Sequence, residues 1–197
     1  MKKKIIAVIS AKKRSKRLPN KNILPIKGIP MFLFVANEIN KSKRIKDIIV
    51  SSDSNYIKKL TIENGFNFVK RPKRLTLDNT EKQEVVVHTV KTFYKNKKKP
   101  HIVLSIQPNS PEIKYTDLNK ALNFFEKKLY PKSKIKELIA INKNKVQNPS
   151  FRILSYKAVF QKSLSTKIGV YFCDYIDIHN KKDYLNAKKI IEKKNYR

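Results

Sequence analysis

Short apolar runs alternate with amphipathic stretches along the chain. Short apolar runs are typical of buried strands, and apolar residues that recur every three or four positions are typical of helices. Strands are predicted at residues 4–10, 47–51, 66–70, 101–107, 137–142 and 168–173. Helices are predicted at residues 31–40, 54–64, 79–94, 116–127 and 180–193.

The order of these elements predicts an α/β fold, in which a mostly parallel sheet carries helices on both faces. A chain of 197 residues is long enough for one such domain, spanning residues 1–197. Ser54 is a predicted N-cap and Gly65 a predicted C′ residue of the second helix, and Thr116 is a predicted cap of the fourth. The stretch at about residues 145–168 breaks the alternation, and we predict a hairpin or a small irregular excursion there.

Polar clusters follow the predicted strands. They occupy residues 12–22, 51–53, 71–72, 107–111 and 174–179. The carboxyl ends of parallel strands meet at one edge of a sheet, and ligands of open α/β sheets bind there. We therefore expect these clusters to surround one binding site.

The first cluster offers Lys12, Lys16 and Lys21 as cations for phosphate groups, with Ser15 and backbone N–H groups as further donors. Pro19 stiffens this loop. The other interpretation is an exposed basic loop in a basic protein. The ordered string of three lysines favours the phosphate site.

Three later clusters carry further candidate chemistry. The proline-bounded turn after the fourth strand presents Gln107 or Asn109 to a base or a sugar, or is an ordinary connection. Arg71 precedes a proline, which holds its backbone extended. Asp177 and His179, with Asp174 close by, suit a metal-bound phosphate site, although His179 is equally explained as a polar residue beside a helix.

The net charge of +31 suggests a nucleic-acid partner, because lysine and arginine neutralise phosphates. Only 7 of the 46 basic residues are arginine, and the lysines are spread evenly, which disfavours nucleic acid. Lysine, asparagine and isoleucine have A/T-rich codons, so genome composition also explains much of the charge. The charge attracts anionic ligands in either case.

The apolar runs are shorter than the roughly 20 residues of a membrane span. The N-terminal run is predicted as a strand and not as a signal peptide. Cys173 is the one cysteine, so an internal disulfide is excluded. These features predict a cytoplasmic protein without a membrane partner.

Together, these clusters resemble the acylneuraminate cytidylyltransferases, also called CMP-sialic acid synthetases, and more loosely the CMP-Kdo synthetases. The family pattern A-R-x-G-S-K-x-x-P-x-K-N-I is similar to AKKRSKRLPNKNI at residues 11–23. V-S-T-D resembles VSSD at residues 50–53, and R-R-P…L…D-x-T resembles residues 70–80. Q-P-T-S-P resembles QPNSP at residues 107–111, and I-D-x-D-x-x-x-D-L resembles IDIHNKKDY at residues 176–184.

The resemblance implies a Rossmann-like nucleotidyltransferase fold. It implies transfer of CMP from CTP to the anomeric hydroxyl of a sialic-acid-like (nonulosonic) sugar, with release of pyrophosphate. Mg²⁺ is the implied cofactor, and CTP and an acidic nine-carbon or similar sugar are the implied partners. A homodimer is also implied, although the dimerisation excursion is shortened in this chain.

The resemblance also assigns roles to individual residues. The catalytic residues would be Lys12, Lys21 and Asp177. The nucleotide would be bound by Lys12, Ser15, Lys16, Lys21, Asn22, Arg71 and Thr80. The sugar would be bound by Gln107 and Asn109, and the metal by Asp177 and His179.

Three positions depart from the family pattern. Lys12 stands in the place of an arginine, Arg14 in that of a glycine, and His179 in that of the second metal-binding carboxylate. Lysine keeps the charge but loses the planar guanidinium fork, and a glycine lets backbone approach phosphate closely. These departures favour a first alternative function, that of a degenerate homologue that binds nucleotide or sugar with little turnover. The second alternative function, suggested by the net charge, is that of a basic nucleic-acid-binding protein.

Overall fold

The computed structural model describes residues 3–130, 133–161 and 167–193. Within these ranges the strands are β1 Ile5–Ser10, β2 Pro25–Ile26, β3 Ile29–Pro30, β4 Ile45–Ser52, β5 Asn67–Lys70, β6 Ile102–Ile106, β7 Glu137–Ile141, β8 Gln147–Ser155 and β9 Gly169–Phe172. The helices are α1 Met31–Asn40, α2 Asn55–Glu63, α3 Lys82–Phe93, α4 Tyr115–Phe124 and α5 Lys181–Lys193. None of the helices in these ranges combines the length and the apolar character that a membrane span requires.

Seven of the strands form one sheet in the order β5-β4-β1-β6-β8-β7-β9. Strands β5, β4, β1 and β6 are mutually parallel, and β9 is parallel to β7. Strand β8 runs antiparallel to both of its neighbours. This mostly parallel, Rossmann-like sheet confirms the predicted fold class. The chain reverses its direction of travel across the sheet at β1, so a crevice opens beside the carboxyl end of this strand.

Strand β1 is buried on both of its faces, as expected for a central parallel strand. Ile5, Ala7 and Ile9 belong to a core cluster with side chains of α1, α2 and α4. Ile6 and Val8 point to the other face and pack in a cluster with α3. Helices therefore cover both faces of the sheet, as the sequence predicts.

The predicted caps of α2 are confirmed. The Ser54 hydroxyl accepts a hydrogen bond from the Ile57 N–H at 3.3 Å, and Gly65 follows the helix with φ of 75°, a conformation that glycine adopts without strain. The prediction for the fourth helix was wrong by two residues, because Lys114 and not Thr116 is the N-cap residue of α4. Helix α3 begins later than predicted because Glu81 and Glu84 form a reciprocal capping box.

The predicted irregular excursion contains a regular strand. Residues 147–155 form β8, which lies between β6 and β7, and a 3-10 turn follows at Lys157–Phe160. The strand is hard to recognise because Asn148, Ser150 and Arg152 interrupt its apolar pattern and Pro149 lies where its register against β7 shifts. Residues 162–166 of the predicted excursion lie outside the described ranges.

Candidate active site

A cleft of about 470 Å³ opens beside the carboxyl ends of β1 and β6. Its walls come from the loop after β1, the segment before α3, the turn after β6 and the segment after β9. The structure brings every residue of the predicted site to this cleft: Lys12, Ser15, Lys16, Lys21, Asn22, Arg71, Thr80, Gln107, Asn109, Asp177 and His179. Asp174 is not among the lining residues, and its carboxylate lies 3.8 Å from the Lys143 ammonium. The individual roles of the lining residues stay predictions.

The loop after β1 is held in place by hydrogen bonds to side chains. The Lys13 backbone N–H donates to Asp53 Oδ1 at 2.7 Å, and Asn22 Nδ2 donates to the Lys12 carbonyl oxygen at 2.8 Å. These bonds anchor the loop near both of its ends. Side-chain hydrogen bonds therefore fix the predicted phosphate loop, in which Arg14 stands in the place of the family glycine.

Two lysines of this loop share one carboxylate of the segment before α3. The Asp78 oxygens lie 3.1 Å from Lys12 Nζ and 2.7 Å from Lys16 Nζ. The hydrogen bond to Lys16, followed by that to Lys12, lowers the pKa of Asp78, and the same contact raises the pKa of Lys16. The Asp78 side chain is 52% exposed, so water and salt screen these pairs. Asp78 therefore already pairs with Lys12 and Lys16, two of the three lysines that are predicted to bind phosphates.

A deeper part of the cleft holds Lys21. Its ammonium donates to the Ile178 carbonyl oxygen at 2.9 Å, which connects the first loop to the segment after β9. Burial lowers the pKa of Lys21, and the charge of Asp177 opposes this shift only in part. The pKa of Lys82 is also lowered by neighbouring protein atoms, against the attraction of Asp177, although Lys82 is an exposed residue.

Sequence reasoning missed three charged residues that line the cleft: Arg17, Asp78 and Lys82. Asp78 lies inside the quoted D-x-T match, and Lys82 lies two positions beyond it, so their proximity to a recognised motif was the available signal. Arg14, the residue in the place of the family glycine, is exposed and is not among the described lining residues.

Buried polar atoms without partners mark one part of the wall. Arg71 is 5% exposed, its Nη2 group donates to the Ser51 carbonyl oxygen at 2.9 Å, and its Nε has no partner among the described residues. Burial lowers the pKa of Arg71 to about 10, against the attraction of Asp53. The side-chain oxygens of Asn22 and Ser10 are also buried without a described partner. Such groups are costly unless a ligand or water satisfies them, so this wall is suited to a polar ligand.

Asp177 lies where the segment after β9 meets the turn after β6. Asn109 Nδ2 donates to Asp177 Oδ1 and also, at 3.0 Å, to the Ile178 carbonyl oxygen. The other Asp177 oxygen lies 2.8 Å from His179 Nε2. This network holds Asn109, which is predicted to bind the sugar, beside Asp177 and His179, which are predicted to bind the metal.

The arrangement around Asp177 does not fit a protein-held Mg²⁺ ion. Both carboxylate oxygens already pair with nitrogen atoms, and Mg²⁺ prefers oxygen ligands to an imidazole such as that of His179. The described residues contain no group of three or more histidine, cysteine, aspartate or glutamate side chains placed to hold a metal. The predicted Mg²⁺ dependence remains a prediction.

A sequence profile for the family described as Cytidylyltransferase matches residues 6–169. The chain belongs to the cytidylyltransferase family. The matched range includes every predicted site residue except Asp177 and His179.

Individual relatives agree with this family. The N-acylneuraminate cytidylyltransferase of Escherichia coli O18:K1:H7 (strain RS218 / NMEC) is 28% identical over 128 residues, which are 64% of this chain and 29% of that protein. The 3-deoxy-manno-octulosonate cytidylyltransferase of Psychrobacter cryohalolentis is 39% identical over 62 residues, 32% of this chain and 23% of that protein. The matches therefore span less than a third of the length of these curated relatives.

A solved structure agrees with the fold. The structure of CMP:2-keto-3-deoxy-manno-octonic acid synthetase complexed with CTP superposes with a TM-score of 0.78 at 12% identity, covering 97% of this chain and 99% of that one. At this identity the similarity shows the fold alone. It agrees with the Rossmann-like nucleotidyltransferase architecture built from the strand order.

Proposed function

We propose that this chain transfers CMP from CTP to the anomeric hydroxyl of a sialic-acid-like sugar. In the reaction, the hydroxyl oxygen attacks the α-phosphorus of CTP, the bond from that phosphorus to the β-phosphate oxygen breaks, and the hydroxyl proton passes to solvent. The products are a CMP-sugar and pyrophosphate. The observation that carries the proposal is that one cleft, in a cytidylyltransferase-family chain, gathers all the predicted nucleotide and sugar residues.

The polar floor of the cleft suits the nucleoside. Arg71 Nε is a hydrogen-bond donor and Asn22 Oδ1 an acceptor, and neither has a partner among the described residues. Cytosine carries both acceptors and an amino donor on its edge, so this pair of groups complements it. We assign Arg71 and Asn22 to the nucleoside, with Thr80 beside them on the same cleft.

The cations of the first loop suit the triphosphate. Lys12, Lys16 and Lys21 reach the cleft with the Ser15 hydroxyl. Fixed cations stabilise the negative charge that moves onto the leaving pyrophosphate during an in-line displacement. We assign Lys12 and Lys21 to catalysis on this ground. Mg²⁺, when bound, would add Lewis-acid charge, and no step assigned here depends on it.

The sugar is assigned to the turn after β6, where Gln107 and Asn109 line the cleft. The N-acylneuraminate and 3-deoxy-manno-octulosonate cytidylyltransferases among the relatives both take their names from acidic sugars, which supports an acidic acceptor. A homodimer and a cytoplasmic location, where CTP is available, belong to the same proposal. The homodimer is tested by measuring the mass of the protein in solution.

The direct test measures pyrophosphate release. The purified chain is mixed with CTP, Mg²⁺ and a panel of nonulosonic acids together with Kdo, and CMP-sugar formation is followed by mass spectrometry. We expect release with at least one acidic sugar and with CTP in preference to ATP, GTP and UTP. Binding of CTP without release by any sugar would instead support the degenerate homologue. Tight, salt-dependent binding to DNA or RNA without preference for CTP would support the nucleic-acid alternative.

A further inference from the structure

Positive charge predominates among the side chains that line the cleft. The cationic lining residues are Lys12, Lys16, Arg17, Lys21, Arg71 and Lys82, whereas the acidic lining residues are Asp78 and Asp177. Asp78 is paired with two lysines of the first loop, and Asp177 with Asn109 and His179. The carboxylates of the cleft therefore leave most of its cations without a bonded anion.

Lys82 differs from the other lysines of the cleft in its contacts. Lys12, Lys16 and Lys21 each donate to an oxygen atom. Lys82, in contrast, makes neither a hydrogen bond nor an ion pair with any residue that the structure describes. Its ammonium thus lacks a protein acceptor and remains available to a ligand.

The position of Lys82 is fixed by secondary structure. It is the first residue of α3, directly after the capping box of Glu81 and Glu84. Val85, one turn further along, also lines the cleft, so the first turn of α3 forms part of the wall. The positive end of the helix dipole adds to the charge of the ammonium at this place.

Lys82 reaches the cleft from an exposed position, so water still covers part of its side chain. Neighbouring protein atoms nevertheless add a cost to the charged ammonium and lower the pKa of Lys82, and attraction to Asp177 compensates only in part. An anion placed beside the ammonium would remove this cost. Lys21, Lys82 and Asp177 line the same cleft, and the charges of Asp177 and Lys82 act in opposite directions on the pKa of Lys21.

We propose that Lys82 is a phosphate-binding residue that, with Lys21, supplies positive charge in the part of the cleft where the resemblance implies a metal ion. This inference rests on the proposed function, because it takes CTP as the ligand. It extends that function by making triphosphate binding depend on a side chain outside the family motifs. It follows that part of the affinity for CTP persists without a divalent cation.

The test compares two lysines of one helix. Lys82→Gln removes one cation of the cleft. Lys91→Gln makes the same change of charge at an exposed residue of α3 that does not line the cleft and whose ammonium lies over the Phe160 ring. Titration calorimetry with CTP, inorganic triphosphate and cytidine is performed in EDTA and in Mg²⁺ at one ionic strength. Circular dichroism and thermal melts confirm that each variant is folded.

We expect Lys82→Gln to weaken binding of CTP and of triphosphate about tenfold in EDTA, as for loss of one charge-assisted hydrogen bond. Lys91→Gln should change these affinities less than twofold, and Lys82→Arg should restore most of the loss. Cytidine lacks phosphates, so its binding should not distinguish the two variants.

The possible failures are distinguishable. If the wild-type chain binds neither CTP nor triphosphate, the proposed function and this inference both fall. If the wild type binds CTP and the two glutamine variants bind it alike, only the role of Lys82 is refuted. An equal loss of cytidine affinity in Lys82→Gln would show a structural effect, and complete loss of wild-type CTP binding in EDTA would show that a metal is indispensable. Either result overturns the inference.

Discussion

The two halves of the sheet differ in how they are built. Strands β5, β4, β1 and β6 are parallel, β1 is a nearly continuous apolar run, and β4 contains the buried apolar run at residues 48–50. Strands β8, β7 and β9 mix directions, and the buried ion pair of Glu137 with Arg152 joins the first two. Both halves pack apolar side chains into the core, and the mixed half adds buried polar groups that are satisfied by one another.

The cleft needs both halves. The parallel half positions the first loop and Arg71, which bring most of the cations. The mixed half positions Asp177 and His179 after β9, and the Lys21 contact to the Ile178 carbonyl oxygen joins the two contributions. The comparison shows that most cations of the site come from the parallel half, whereas Asp177 and His179 come from the mixed half and are held by contacts to each other and to Asn109.

The largest expected effect is on the stability of the mixed half. Arg152→Met removes the guanidinium that pairs with the Glu137 carboxylate, whose side chain is 0% exposed and also accepts a hydrogen bond from the Gln161 amide at 3.1 Å. Breaking a buried pair in this way costs about 3–5 kcal/mol of unfolding free energy. Urea denaturation followed by circular dichroism measures the loss.

A double variant provides the control for this prediction. Arg152→Met combined with Glu137→Leu removes both charges, and we expect it to be more stable than Arg152→Met alone. Arg152 also donates to Gln83, the residue next to Lys82, at 3.1 Å. Equal stability of the single variant and the wild type would show that the mixed half does not depend on the ion pair.

The next largest effect concerns the wall around Arg71. Arg71→Met removes the buried donor assigned to the nucleoside and should weaken CTP binding about tenfold to a hundredfold. Arg74→Met, on an exposed neighbour, is the matched control. Because the guanidinium also bonds the Ser51 carbonyl oxygen, thermal melts must show that the variant is folded. Unchanged CTP affinity in a folded Arg71→Met variant would contradict the assignment.

A smaller effect is expected in the pH dependence of binding. Burial lowers the pKa of Lys21 below the ordinary value of 10.5, whereas Asp78 raises the pKa of Lys16. As the pH rises, Lys21, like Lys82, therefore loses its proton before Lys16 does, and CTP affinity should begin to fall below pH 10.5. Lys21→Arg stays charged, so the fall should move to higher pH. Identical pH profiles of the wild type and this variant would exclude Lys21 as the titrating group.

The smallest effect concerns the exposed rim. Asp78→Asn frees Lys12 and Lys16 from their shared carboxylate, so CTP binding should tighten by less than about tenfold in low salt. The gain should shrink in high salt, because these groups are exposed to solvent. Asp174→Asn makes the same charge change outside the cleft and should have little effect. Weaker binding in Asp78→Asn would show instead that the carboxylate holds the lysines ready for the ligand.

The local sequence was sufficient to predict those parts of the fold that are determined by residues close together in the chain. The strand of β1 is a continuous apolar run, the α2 caps are chosen by side chains within a few residues, and parallel strands place their carboxyl ends at one edge. These facts predicted both the sheet and the gathering of residues such as Lys21, Asn22 and Gln107 at one cleft. Strand β8 escaped prediction because its polar residues are satisfied by distant partners, as when Asn148 donates to the Tyr175 carbonyl oxygen at 2.8 Å.

The sequence by itself determined the α/β architecture, the family resemblance and the set of polar groups at the strand ends. Only the tertiary structure decided which of these groups are engaged and which are free. It places Asp78 on two lysines that lie 66 and 62 residues away, pairs Asp177 with Asn109, and leaves Lys82 without an acceptor among the residues that the structure describes. Hydrophobic periodicity acts over a few residues, whereas pairing and desolvation of charges depend on neighbours that are distant in the chain.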